Sequence, residues 1–317
     1  MPPMDHFSRL NRLATRAMPF MVPALIVLAV AFPSVLGKLQ PISTPVFFVI
    51  VFAGSSSIRL RDIVRVARHP APLVVLFVVA HVLMPLLAWG VAHLFFTAEP
   101  DIVVGMILEF LTPTAASGFA WVVINRGDVA LSLVAVFLDT LITPVLLPVS
   151  LHLLTGSRVE VGLTDLMSLL VVIILLPALL GLVVNESTRG RFTARLGVPL
   201  QLATKVAIWV VIAAAATKIA HPVRDLNPML LGVTLAMLLI SLTGYALGFA
   251  AALVMKASRA QEVSYTYGAG LRNINLGAVV AASYFPDLTV FPVIITMLFQ
   301  QVTAASIAAI ARSRWRS

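Results

Sequence analysis

Long apolar runs, most of them about twenty residues or more and separated by short polar or basic gaps, dominate this chain. At a rise of about 1.5 Å per residue, roughly twenty apolar helical residues cross the ~30 Å of bilayer hydrocarbon. Ten such runs can be marked, at residues 18–36, 44–58, 71–96, 102–124, 129–154, 163–185, 198–220, 228–255, 263–285 and 288–311. The period-two alternation of a membrane barrel is absent. The predicted fold is an all-α polytopic membrane protein of ten transmembrane helices. The second run is short, and residues 59–68 after it mix arginines with apolar residues at helical spacing. That stretch reads as an amphipathic segment along the headgroups or a solvated linker with a surface-seeking face.

Composition agrees with the pattern. Of 317 residues, 60% are hydrophobic and 11% charged, against about a quarter charged in soluble domains. The net charge of +9 would suit a nucleic-acid partner if it formed a patch. Instead the basic residues sit in the gaps. Sixteen Lys/Arg fall in the ends and loops assigned inside, among them Arg9, Arg12, Arg16, Arg126 and Lys256. Only Lys38, Arg158, Lys218 and Arg224 fall outside. This asymmetry places both termini in the cytoplasm, and the protein in the inner (plasma) membrane as a multi-pass chain. Its partner is then the lipid bilayer, with no nucleic acid and no obligate protein partner. Arg9, Arg12 and Arg16 before an apolar run, with Ala29-Val30-Ala31, resemble a signal peptide. The run is of span length, so it is read as an uncleaved first helix.

The absence of cysteine excludes disulfides, thiolate metal sites and cysteine nucleophiles. Six histidines show no metal-ligand spacing, and no phosphate loop, dinucleotide fingerprint or nucleophile elbow is present. The chain reads as a non-enzyme without a cofactor, Na+ as a coupling ion aside.

Five spans in each half force the halves to insert in opposite senses. Residues 1–160 and 161–317 would be inverted repeats. Each half carries an anomaly in its fourth span: Thr112-Pro-Thr-Ala-Ala-Ser-Gly118 in one, Tyr267-Gly-Ala-Gly-Leu-Arg-Asn-Ile-Asn-Leu-Gly277 in the other. Singly, each could be a proline kink or close glycine packing. As a matched pair they point to discontinuous helices, the mark of a transporter binding site. In hydrocarbon every backbone N–H and C=O needs a partner, so an unwound stretch survives only beside protein, water or ligand. Half-helix N-termini there attract anions, and freed carbonyls coordinate cations.

Ionisable residues inside the spans mark function by default. Glu109 lies roughly 12 Å into the fourth span, and Asp139 near the middle of the fifth. Ser132, Asp139 and Thr143 share one face of the fifth span, with Thr140 beside them. These residues are read as coupling-ion ligands. Arg272 lies inside the second break between Leu271 and Asn273, with Asn275 beyond. Arg272 could clamp an anion in a bidentate manner, or stand as fixed counter-charge to Asp139 or Glu109. Asn273, Asn275, Thr114 and Ser117 join it as substrate-binding candidates, though the asparagines could equally brace the unwound segment. His81, four residues before Pro85, reads as backbone-bonded or as a proton relay. Lys205 is placed to snorkel, Gln300 and Gln301 to bridge helices, and Trp89, Trp121, Trp209 and Trp315 to pack or anchor at the interface.

At the two breaks the sequence resembles the bile acid:sodium symporter family. Pro113-Thr-Ala-Ala-Ser-Gly-Phe119, Arg126-Gly-Asp-Val-Ala-Leu-Ser132 and Asp139-Thr-Leu-Ile-Thr-Pro144 look like its first crossover region, and Gly270-Leu-Arg-Asn-Ile-Asn-Leu-Gly-Ala278 like its second. The resemblance implies panel and core domains, with the fourth and ninth spans crossing in the core, and transport of organic anions, usually by sodium symport. It also implies departures. The family's Ser-Asn sodium pair falls at Gly118-Phe119, or at Ser117-Gly118 if shifted by one. Ser132 matches a hydroxyl ligand, but the next position is Val136. The ligating Glu falls at Gly268 and its Gln partner at Arg272. A guanidinium there opposes a sodium ion, and Asp139 would supply negative charge. The arsenical-resistance exporters are more distantly similar, but they rely on a thiolate that this chain lacks.

The expected function is secondary active transport of a small organic anion by alternating access, coupled to sodium or protons. The other readings are an uncoupled facilitator or exporter of an anion or metalloid, and a membrane ligand sensor.

Overall fold

A computed structural model describes residues 2–156, 162–224 and 227–316. Arg158 and the boundary placed at residue 160 lie outside the described residues. The chain opens with α1 (Pro2–Ala31), which bends by 71° between Phe7–Thr15 and Phe20–Ala31. The short α2 (Pro33–Leu36) runs through a 3-10 turn into α3 (Gln40–Ser55). The second span is therefore longer than its apolar run suggested. The basic stretch becomes α4 (Leu60–Ala67), with Leu60 and Val64 exposed among the arginines, as an interfacial helix requires.

The third span has a defect with a sequence cause. Between α5 (Ala71–Val78) and α6 (Met84–Phe95) lies one π-turn, Val79–Leu83. Met84 N–H bonds Val79 O, one residue further back than in an α-helix. Pro85, the next residue, has no N–H to give. The carbonyl of Ala80 is thus left without a donor from its own helix.

The fourth span is split into α7 (Pro100–Leu111) and α8 (Ala116–Ile124). Proline at 113 disfavours helix at Thr112 and removes a donor. Thr112 and Ala115 are accordingly extended, with ψ of 150° and 131°. The fifth span, α9 (Val129–Thr155), starts at an Asp128 cap whose carboxylate accepts from Leu131 N–H. In the second half, α10 (Leu163–Leu170) and α11 (Leu176–Ser187) flank another π-turn before a proline, Pro177. They are followed by α12 (Arg191–Ala216), α13 (Ala220–Arg224) and the Asn227-capped α14 (Pro228–Val254).

The ninth span is split into α15 (Arg259–Gly270), opened by a Ser258/Gln261 capping box, and α16 (Ile274–Tyr284), opened by Asn273. The chain ends in α17 (Asp287–Ile310) and α18 (Arg312–Arg316). Among the described residues, seven helices are long and apolar enough to cross a membrane, or eight with the bent α1. The two split spans are additional to these.

Two packing groups result. In one, α12 lies against α1 and α3, and α11 against α3. In the other, α6, α9, α14 and α17 enclose the split spans α7–α8 and α15–α16. From Ile102 to Leu111 the residues of α7 are buried, as are Glu262–Gly270 of α15. Outside, large apolar side chains such as Leu94 (73% exposed) and Val254 (82%) face outward, which suits hydrocarbon and not water. The polar breaks therefore sit at the centre of the bundle, and the apolar surface surrounds them.

At the basic end, Glu262 ties α15 to α18. Arg314 donates to both its oxygens (2.7 and 2.9 Å), and the buried Trp315 donates its indole N–H at 2.9 Å. Trp315 is thus a hydrogen-bonded tether and not an interfacial anchor.

Close packing of the split spans rests on glycine. A Cβ at Gly105 would come within 2.3 Å of Thr289 O, and one at Gly248 within 2.3 Å of Tyr265 O. Both neighbours are backbone and cannot swing aside. We expect Gly105→Ala and Gly248→Ala each to destabilise by about 1–3 kcal/mol or more. Gly90→Ala, with nothing within 4 Å, should be neutral or stabilising. Thermal unfolding of the detergent-purified variants decides this; equal melting temperatures for all three would contradict the packing.

Candidate functional site

The unwound segments are shorter than their motifs suggested, covering residues 112–115 and 271–273. Ser117 and Gly118 are already helical, as are Gly268 and Gly270. Gly270 serves instead for close approach, since a Cβ there would lie 2.3 Å from the ring of Tyr245. The second break itself contains neither Gly nor Pro. It is held open by the first.

The two breaks meet as a minimal antiparallel pair, Thr114 opposite Arg272. Ala115 N–H donates to Leu271 O (3.1 Å), and Asn273 N–H to Pro113 O (2.8 Å). Thr114 N–H donates to Asp139 Oδ2 at 2.7 Å, and its hydroxyl to Gly268 O at 3.2 Å. Gln300 Nε2 on α17 donates to Arg272 O at 3.3 Å, confirming the bridging role read for it. Most of the backbone groups freed by one break are thereby satisfied by the other or by a neighbouring side chain.

Asp139 is fully buried. Its second oxygen, Oδ1, lies 2.7 Å from His81 Nε2, and the imidazole is only 6% exposed. His81 therefore faces a carboxylate rather than a backbone carbonyl. That contact was not foreseen along the chain; the place of His81 inside the defect that Pro85 creates was the available signal.

Arg272 is 2% exposed. Nη2 donates to Ala80 O at 2.9 Å and Nη1 to Thr112 O at 3.4 Å. Its Nε has no partner among the described residues. The guanidinium interacts electrostatically with both Asp139 and Glu109, but neither carboxylate is within ion-pair contact. Glu109 is fully buried with both oxygens unpartnered among the described residues. It lines a small cavity with Arg272, Ser241, Thr296, Gln300 and Thr303.

Other expected residues divide. Asn273 caps α16 by accepting from Leu276 N–H at 3.3 Å, so it does brace the segment. Asn275 in the first turn of α16 has a buried, unpartnered Oδ1. Ser132 and Thr143 are buried on the same side of α9 as Asp139. Thr143 and the half-buried Thr140 donate to the α9 carbonyls of Asp139 and Val136. Ser132 Oγ has no partner among the described residues. It lines a second small cavity with Thr114, Gly118, Val136, Tyr267 and Gly268. Ser117 stands on the exposed side of α8, away from both cavities. Lys205 donates to Asn11 of α1 at 2.6 Å and takes no part here. Among the described residues no cluster of three or more His, Asp or Glu could hold a metal ion.

Residues 44–223 match the model of the sodium bile acid symporter family. An uncharacterized protein of Bacillus subtilis, YbaS, is 33% identical over 288 residues, covering 91% of this chain and 94% of the relative. The B. subtilis protein named as an uncharacterized sodium-dependent transporter, YocS, is 24% identical, over 96% of this chain and 94% of its own. A chloroplastic protein of Arabidopsis thaliana, named as the probable sodium/metabolite cotransporter BASS1, is also 24% identical, over 95% of this chain and 73% of its own length.

The His81–Asp139 contact can be measured. Removing one partner of a buried polar contact leaves the other without it in a site closed to water, at a cost of about 1–3 kcal/mol. His81→Asn and Asp139→Asn should each destabilise, and the double variant should cost less than their sum by roughly 1–3 kcal/mol. Strict additivity in the thermodynamic cycle would mean the two do not interact.

Proposed function

The chain belongs to the sodium bile acid symporter family, and from that premise we propose that this membrane transporter carries a small organic anion across the inner membrane. The transport is secondary and active, works by alternating access, and is coupled to a co-transported cation, sodium or a proton. The observation that supports this best is the meeting of two helix breaks at one buried, charged point. Crossed half-helices of this kind present N-termini to anions and carbonyls to cations.

Residue roles follow from that arrangement. The anion binds at the N-terminal ends of α8 and α16, with Thr114 and Asn273 in the breaks and Asn275 in the first turn of α16; Ser117, exposed on α8, drops out of the set. Arg272 supplies the positive charge, through the Nε–H that is not committed to a carbonyl. Asp139 takes the coupling ion, aided by Glu109 and the α9 hydroxyls of Ser132, Thr140 and Thr143. His81 is added to this set because it touches Asp139. The organisation proposed is ten spans in two inverted five-helix repeats, with both termini cytoplasmic. Eight long helices plus two split ones are consistent with ten. The packing group of α1, α3, α11 and α12 would be the panel, and the group around the split spans the moving core.

A second reading draws on the contacts of Asp139. Asp139 is already matched by His81 and Thr114, which would suit a permanent structural pair and an uncoupled carrier.

Reconstituted vesicles separate the two. A thermal-shift screen of small carboxylates and sulfonates identifies the solute to load. For a coupled carrier, Asp139→Asn should abolish uptake driven by a sodium or pH gradient and retain counterflow. Loss of binding altogether favours the structural pair. Arg272→Gln should weaken solute affinity roughly tenfold or more, the worth of one charge-assisted hydrogen bond. Unchanged affinity would remove Arg272 from the binding site.

A further inference from the structure

We infer that Arg272 is a tethered cation: its guanidinium occupies the carbonyl-lined position at the crossing that a metal ion would otherwise fill, so this site works without sodium. The inference deepens the transport reading by specifying the ion requirement of the same site, and its test uses no transported solute.

The ligands come first. Ala80 O is stripped of its helical donor because Met84 N–H reaches back to Val79 and Pro85 has no N–H. Thr112 O is freed at the end of α7, where the chain turns extended. Two carbonyls freed at helix defects face one point, and carbonyl oxygens are the kind of ligand that hard cations take; the Glu109 and Asp139 carboxylates lie beyond contact and add charge only. Arg272 delivers Nη2 to one carbonyl at 2.9 Å and Nη1 to the other at 3.4 Å. Its charge is permanent at any physiological pH, and its planar fork serves two acceptors at once.

Position in the chain makes the delivery fixed. Arg272 pairs through its backbone with Thr114, and its carbonyl is held by Gln300. The crossing thus fixes the root of the side chain, and the two carbonyls hold its guanidinium. The second small cavity offers no refuge for a free ion. Its side-chain oxygens come from Thr114, Ser132, Ser264 and Tyr267, with no carboxylate among its lining residues. Gly118, Val136 and Gly268, which also line it, bring no side-chain oxygen. One position is thus filled from within and the other is poor in ligands.

Melting of the purified full chain in detergent, at one ionic strength, tests this in NaCl, KCl and choline chloride. The wild type should melt at the same temperature in all three and show no saturable binding of radioactive sodium. Arg272→Ala should melt lower, and a few millimolar methylguanidinium should recover about 5 °C or more by binding the vacated site. Arg272→Lys keeps a tethered charge, so it should remain insensitive to sodium and to methylguanidinium; it carries the test if Arg272→Ala cannot be purified. Sodium-selective stabilisation of the wild type, or saturable sodium binding that Arg272→Lys leaves intact, would overturn the inference. So would an Arg272→Ala variant that melts like the wild type.

Discussion

In hydrocarbon a backbone amide has no water to fall back on, and the centre of this molecule is organised by that constraint. Two helices are interrupted side by side so that each interruption answers the other. Ala115 N–H meets Leu271 O, and Asn273 N–H meets Pro113 O. The remainder go to side chains: Thr114 N–H to Asp139, Thr112 O to Arg272, Gly268 O to the Thr114 hydroxyl. Either break alone would leave several amides and carbonyls unsatisfied, each at a cost of several kcal/mol. Together they form a polar crossing that can exist in the membrane, surrounded by helices with apolar outer faces.

The charged groups are held by the same network. Asp139 is buried against a backbone N–H on one oxygen and an imidazole on the other. Arg272 is buried against carbonyls that two different helix defects leave free. Isolated charges at this depth would be prohibitively costly, whereas charges placed where backbone dipoles are already unsatisfied offset two penalties at once. Glu109 is the exception, a buried carboxylate without a hydrogen-bond partner among the described residues.

Much of this was legible beforehand. Span positions followed from run length against bilayer thickness, because a helix in lipid must be apolar along its whole outer face. The first break was marked by Thr112-Pro113, since proline acts locally. The candidates Asp139, Glu109 and Arg272 stood out because ionisable residues are rare at that depth. The second break was less exact. Residues 271–273 contain no helix breaker, and the neighbouring glycines proved to be contacts for Tyr245 and Leu76. His81 was left between a backbone bond and a proton relay, because nothing along the chain indicates that α9 brings a carboxylate to it. For Trp315 packing and an interfacial anchor were both open, and the structure packs it inside, held by Glu262 53 residues away.

The sequence by itself determined the number and place of the apolar runs, the basic asymmetry of the loops and the chemistry available at mid-membrane. Those are properties of single residues and of short windows, which lipid reads one helix at a time. Tertiary structure decided which carbonyls were left over, which charge met them and where the second break opened. Those depend on hydrogen bonds between residues more than a hundred positions apart, such as Thr112 with Arg272 and Ala80 with Arg272. No local pattern encodes them, because each partner is satisfied only once the other has arrived.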